Sequence, residues 1–203
     1  MIFATPFVPA VTDFDAYAAA LKKRGQLLQH IHLVLNRPQD EEAAIGFADS
    51  LGTLFLKTVR HQVPFEAGNI ATANTFLREA CSFLRDHKDE PGEAAGVPML
   101  YSEPTWRPTG IGWLDAIQSE YYANRAPAAL GRWKEHPTLG RTVWGPVVLG
   151  RKYAATTALM SFLDGRTHWR EYLRHELGRS MVESTTIGGG AKAVLKPFHK
   201  PKK

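Results

Sequence analysis

Apolar residues recur at alternating three- and four-residue spacings through the first 88 positions, which is the signature of helices with one buried face. Phe14, Tyr17, Leu21, Leu28, Ile31 and Leu35 form such a stripe, behind a capping-box-like Thr12-Asp13-Phe14-Asp15. The pattern predicts a first helix from Asp13 to Leu35, weakened at Gly25 and ended by Asn36-Arg37. Pro38 suits the first turn of a second helix, with Asp40, Glu41 and Glu42 complementing its dipole and Ala44, Phe47, Ala48, Leu51, Leu54, Phe55 and Val59 facing inward. Pro64 closes it. A third helix is predicted from Phe65 to His87, with Ile70, Ala73, Phe76, Leu77, Ala80, Phe83 and Leu84 on its buried side. Three such helices on short turns predict an antiparallel bundle over residues 12–88, preceded by an extended segment over 1–11.

From Asp89 to Gly110 the prolines and glycines at 91, 92, 96, 98, 104, 108 and 110 disfavour regular structure, yet the segment carries Met99, Leu100, Tyr101 and Trp106. A solvated linker has no need of these, so the segment reads as an arm laid along another surface. A short helix from Ile111 to Asn124 presents Trp113, Ile117 and Tyr121, and Ala126 to Leu149 reads as irregular again. The arm therefore covers 89–149. Two C-terminal helices, Gly150 to Leu163 and His168 to Glu183 with Thr167 as N-cap, fill 150–183. Residues 184–203 form a tail. The fold class this predicts is mainly α, with a helical bundle, a Pro/Gly/Trp-rich arm, a helical pair and a basic tail.

Charge changes the picture at one place. Gly188 to Lys203 holds Lys192, Lys196, Lys200, Lys202 and Lys203 and no acidic residue, which accounts for the whole net charge of +5 over 203 residues. The body is neutral. The triple glycine at 188–190, with Pro197 and Pro201, disfavours a helix and predicts an extended arm held by a partner or by the protein's own body. A single cysteine, Cys81, permits no internal disulfide and suits a reducing compartment. The N-terminus has no positive n-region and is broken by Pro6 and Pro9, so secretion is not expected, and no apolar run reaches the ~18 residues of a membrane span.

Candidate chemistry is sparse. His168, Glu171 and His175 share one predicted helical face, but one helix supplies only part of a metal shell and the face reads as structural. His30 and His32, two apart, point to different helical faces. No G-x-S-x-G, G-x-G-x-x-G or C-x-x-C pattern occurs. The expectation is no catalytic residue, no cofactor and no metal. Trp and Arg are enriched at protein interfaces, and a neutral body argues against a nucleic-acid platform. Trp106, Trp113, Trp133 and Trp144, with Lys192, Lys196, Phe198, Lys200, Lys202 and Lys203 of the tail, are therefore the expected contact residues. These features predict a non-catalytic structural accessory subunit of a large multiprotein assembly, contacting other protein subunits, with anionic lipid or RNA as further partners of the tail. Among such assemblies a mitochondrial membrane complex, ATP synthase or respiratory chain, ranks first, peripheral to the inner membrane. A ribonucleoprotein subunit ranks second and a virion structural protein third.

Overall fold

The computed structural model describes residues 1–9, 12–24, 30–35, 38–51, 58–62, 70–86, 98–125, 128–138, 140–150, 153, 159, 163, 167–176, 180–188 and 193–197. Its centre is a sheet, which corrects the expectation of a mainly α fold. In chain order the elements are β1 (Ile2–Phe7), α1 (Phe14–Arg24), β2 (His30–Leu35), α2 (Glu41–Ser50) behind a 3-10 turn at Pro38–Asp40, β3 (Thr58–Gln62), α3 (Ile70–Asp86), β4 (Met99–Tyr101), β5 (Trp106–Pro108), α4 (Trp113–Ala123), β6 (Ala129–His136), β7 (Gly140–Leu149), α5 (Trp169–Glu176), β8 (Met181–Glu183) and β9 (Leu195–Pro197). Seven strands form a mixed sheet in the order β3-β2-β1-β4-β7-β6-β8, and β5 pairs with β9 in a second, two-stranded sheet. β7 is antiparallel to both of its neighbours, while β1, β2, β3 and β4 run parallel.

The corrections at β2 and β4 have one physical cause. A parallel strand covered by helices on both faces is apolar on both, so it reads as an unbroken run that period-3.6 and period-2 templates fit equally well. Ile2-Phe3-Ala4-Thr5-Pro6-Phe7 is buried at every position and pairs with His30–Leu35, the stretch expected as the second half of the first helix. The helix stops at Arg24, and Leu33, Val34 and Leu35 are buried in a strand. Likewise Met99-Leu100-Tyr101 lies along this protein's own β1 at the centre of the sheet, where a docking arm was expected. The irregular 126–149 stretch is largely the β6–β7 hairpin. Pro146 fits inside β7 because the pairing jumps from Gly131↔Val147 to Arg132↔Trp144, a bulge that demands no ladder N–H from it. Of the two C-terminal helices, the second ends at Glu176 and is followed by β8; most of 150–163 lies outside the described residues.

Two cores cover the sheet. On one face Ile2, Ala4, Met99, Tyr101, Val143 and Val147 pack against Phe76, Leu77, Ala80 and Cys81 of α3 and Trp169, Tyr172 and Leu173 of α5. On the other, Phe3, Phe7, Leu33, Leu35, Leu100, Leu130 and Val148 meet Tyr17 and Leu21 of α1, Ala44 of α2, and Trp113, Leu114, Ile117 and Tyr121 of α4. Alternate residues of β1 thus serve opposite cores.

The first part of the tail belongs to the second core. Leu195 is fully buried, and β9 pairs antiparallel with β5. Thr109 N donates to Val194 O at 2.9 Å, Val194 N to Thr186 O at 2.8 Å and Gly188 N to Leu195 O at 3.2 Å. The link from β8 into this strand is clamped by Glu120 of α4. Its carboxylate accepts from Ser184 Oγ at 2.8 Å, Thr185 N at 2.6 Å, Thr185 Oγ1 at 3.0 Å and Thr186 N at 3.3 Å, and also from Thr186 Oγ1. Burial raises the pKa of Glu120, but the bonds from Thr186, Thr185 and Ser184 together outweigh it and hold the carboxyl below its ordinary value.

Candidate functional site

The strand order changes direction at β1: the chain leaves it towards β2 and β3, then returns to place β4 on its other side. In open α/β sheets the crevice beyond the carboxyl ends of two such strands is where ligands bind. Here the β1–β4 pairing ends at Ala4↔Tyr101, with a last bond from Ser102 N to Ala4 O at 3.0 Å, while β1 runs on to Phe7 beside Leu35. Pro6 has no N–H, so the point where the strands part leaves no orphaned donor on that residue. A ligand at this point would be bordered by Val8 and Pro9 after β1 and by Ser102, Glu103 and Pro104 after β4.

Both polar residues of the second wall are held from behind. Ser102 is fully buried, and its Oγ lies 3.0 Å from the hydroxyl of Tyr17, which α1 delivers from one face of the sheet. Burial pushes the Tyr17 phenol well above its ordinary pKa, keeping this bond between neutral groups. From the other face α5 delivers Arg170, which forms an ion pair with Glu103, each side chain being 20% exposed. The guanidinium lies 4.7 Å over the ring of Trp169, which in turn meets Tyr101 edge-on with centroids 6.0 Å apart. Asn74 of α3, wholly buried, fixes the start of α5: its Oδ1 accepts from Trp169 N at 2.9 Å and its Nδ2 donates to Thr167 O at 2.8 Å.

His168 completes this corner. Its Nδ1 accepts from Arg170 N at 3.2 Å, which places the ring proton on Nε2 in the neutral form. Burial and then the Arg170 charge lower its pKa from 6.5 to about 4. The unfolded chain takes up this proton at the ordinary value and the folded chain only near 4, so between those limits the unfolded state binds more protons and stability falls as the pH falls. The expected result is a loss of roughly 2–3 kcal/mol between pH 7 and pH 4 from this residue. Urea midpoints measured across that range should flatten in His168→Asn; an unchanged slope would remove His168 as a cause.

The residues expected to make contacts are dispersed by the fold. Trp106 and Trp113 are 3% and 1% exposed, so their rings are taken by the second core and offer a partner nothing. Trp133 is half-buried beneath Arg141, whose guanidinium lies 5.1 Å from its ring. Trp144 is 39% exposed, with the Lys134 ammonium 4.1 Å above it. Lys196 is exposed on β9, opposite Arg107. Lys192, Phe198, Lys200, Lys202 and Lys203 lie outside the described residues. The same holds for the side chains of His30, His32 and His175, and among the described residues no three His, Cys, Asp or Glu side chains gather to hold a metal ion. Ser102, Glu103, Tyr17 and Arg170 escaped the sequence reading. The one available signal was a Ser-Glu dipeptide directly after Met99-Leu100-Tyr101, and it becomes informative only once that triplet is known to be a strand.

No protein-family profile matches the sequence, and no curated protein sequence matches it either. Solved structures do resemble the fold. A 4-diphosphocytidyl-2C-methyl-D-erythritol synthase is 13% identical with a TM-score of 0.56, over 99% of this chain and 92% of that one. HddC from Yersinia pseudotuberculosis is 9% identical with a TM-score of 0.51, over 97% and 92%. A CMP:2-keto-3-deoxy-manno-octonic acid synthetase complexed with CTP is 11% identical with a TM-score of 0.51, over 95% and 92%. These likenesses overturn the expectation of a non-catalytic accessory subunit, and nothing among them points to an ATP synthase, a respiratory complex, a ribonucleoprotein or a virion. Among the described residues no helix is long and apolar enough to cross a membrane. At 9–13% identity the comparisons establish the fold alone: this chain shares the α/β architecture of HddC, of a synthase and of a synthetase complexed with CTP.

Proposed function

We propose that the chain is a transferase that takes a nucleoside phosphate in the crevice between β1 and β4, with Glu103 at the reacting end. The observation that carries this reading is the parting of β1 and β4 immediately after Ala4↔Tyr101, which puts a serine and a carboxylate at the switch point of the sheet. The CTP complex among the structures of similar fold supports a nucleotide as the ligand class. Glu103, half-buried on a turn closed by Trp106 N donating to Glu103 O, is placed to accept a proton. Ser102 is committed to Tyr17 and reads as the residue that fixes the turn.

The test is a calorimetric titration of the full chain with CTP, CDP, UTP, GTP and ATP in the presence of Mg²⁺. One of these should bind saturably with Kd between about 1 μM and 1 mM, the usual span for enzyme substrates. Absence of binding by all of them at millimolar concentration would overturn the reading.

A further inference from the structure

The segment between β1 and α1, Val8-Pro9-Ala10-Val11-Thr12-Asp13, contains neither a glycine nor a basic residue. It therefore lacks the flexible run of N–H groups and the cation with which a loop cradles phosphate. A nucleotide in this crevice must meet its countercharge on the other wall, where Arg170 stands.

Arg170 is built as an anion receptor. Its guanidinium is stacked on Trp169, whose own backbone N–H is pinned by Asn74, so little freedom remains to be lost on binding. Its Nε is buried with no acceptor among the described residues, and Glu103 is the single side-chain carboxylate it meets there. A guanidinium offers five N–H donors, more than this one contact uses. Phosphate offers more charge than a carboxylate and three acceptor oxygens, and it matches the fork of the guanidinium in two-point contact.

We infer that Arg170 is the phosphate anchor of the crevice and that Glu103 is its resting counter-ion, displaced when a nucleoside di- or triphosphate is seated. This rests on the nucleotide reading above and adds a sequence of events to it. In the free protein the carboxylate and the guanidinium neutralise one another. In the complex the phosphate takes the guanidinium, and the carboxylate is released beside the bound ligand at the moment it is needed.

The exchange makes an uncommon demand: removing the charge of a site residue should strengthen binding. E103Q keeps the shape of the side chain but no longer competes for Arg170, so CTP, CDP and inorganic pyrophosphate should bind it roughly 5–30-fold more tightly than wild type, the factor for one or two kcal/mol of competition removed. R170Q should bind them at least as much more weakly, and R170K, which keeps the charge without the fork, should fall between. A salt bridge that merely supports the fold predicts the reverse for E103Q, since loosening the turn would weaken the site. Circular dichroism of each variant checks folding, and the R170K result carries the argument if R170Q is unfolded. Wild type and E103Q binding CTP equally, or R170Q binding it as well as wild type, would overturn the exchange while leaving the nucleotide reading in place. If neither wild type nor E103Q binds any of the three probes, both fall together.

Discussion

A fragment ending at Ile187 will not hold the native fold. Removing residues 188–203 takes away β9 and with it Leu195, which is fully buried, and Ala193, which is 5% exposed. Loss of a buried leucine alone costs about 2–5 kcal/mol. The backbone bonds from Thr109 N to Val194 O and from Val194 N to Thr186 O go as well, as does the Ala193 carbonyl that accepts from Thr109 Oγ1 at 3.0 Å. Gly188, whose Cβ position is 3.1 Å from the Trp106 ring, no longer covers that indole. The sum exceeds ~5 kcal/mol, which is the whole stability of many domains. The fragment should show weak dispersion of amide resonances and a broad, early urea transition, while Leu195→Ala in the full chain should keep its cooperativity and lose about 2–5 kcal/mol. A fragment with the urea midpoint of the full chain would show that the strand is an ornament on a complete fold.

The second large effect is expected from a single carbon atom at Gly145. This residue has φ +74°, and a Cβ there would fall 2.6 Å from Cε2 and Cη2 of Trp106, closer still to Cζ2. Gly140, at the turn of the same hairpin, has φ +66° and open space around it. Both substitutions to alanine incur the left-handed strain of about 1–2 kcal/mol. Only Gly145→Ala must also move a tryptophan that is 3% exposed and boxed in by Gly188, at a further cost of about 1–3 kcal/mol. Denaturant midpoints should therefore place Gly145→Ala about 2–5 kcal/mol below wild type and Gly140→Ala about 1–2 below. Equal losses would mean that Trp106 moves aside freely, and that the ring does not fix the path of β7.

The same features explain how much the sequence disclosed. α4 falls where Trp113, Ile117 and Tyr121 at four-residue spacing placed it, and α3 keeps the inward Phe76, Leu77 and Ala80, because helices with one wet face leave a period in the chain. His30–Leu35 leaves none, since Leu33 and Val34 face opposite cores and both must be apolar. Tryptophan is ambiguous for a different reason. An interface and a core both want a large, stiff, apolar ring, so Trp106 and Trp113 could be told from contact residues only by seeing the sheet beneath them. The candidate site was least legible. Tyr17, Ser102, Glu103 and Arg170 come from three distant stretches of chain, and the sheet order that joins them is a long-range property with no local spacing to announce it. Arg170 in particular sits in a run of charged residues that reads as a charged, structural helical face.

The pairing of β5 with β9 also sets a timetable for synthesis. Thr109 and Ala193, which are hydrogen-bonded across this small sheet, are 84 residues apart in the chain. At ~5–20 residues per second the ribosome needs roughly 4–17 s to cover that distance. Throughout the interval Trp106, Pro108 and the neighbouring apolar surface of α4 are present in the nascent chain without the strand that will seal them. The emerging polypeptide thus carries an uncovered aromatic face for seconds, long enough for a chaperone at the tunnel exit to engage it, and translation pauses between α4 and β9 should raise the fraction lost to aggregation.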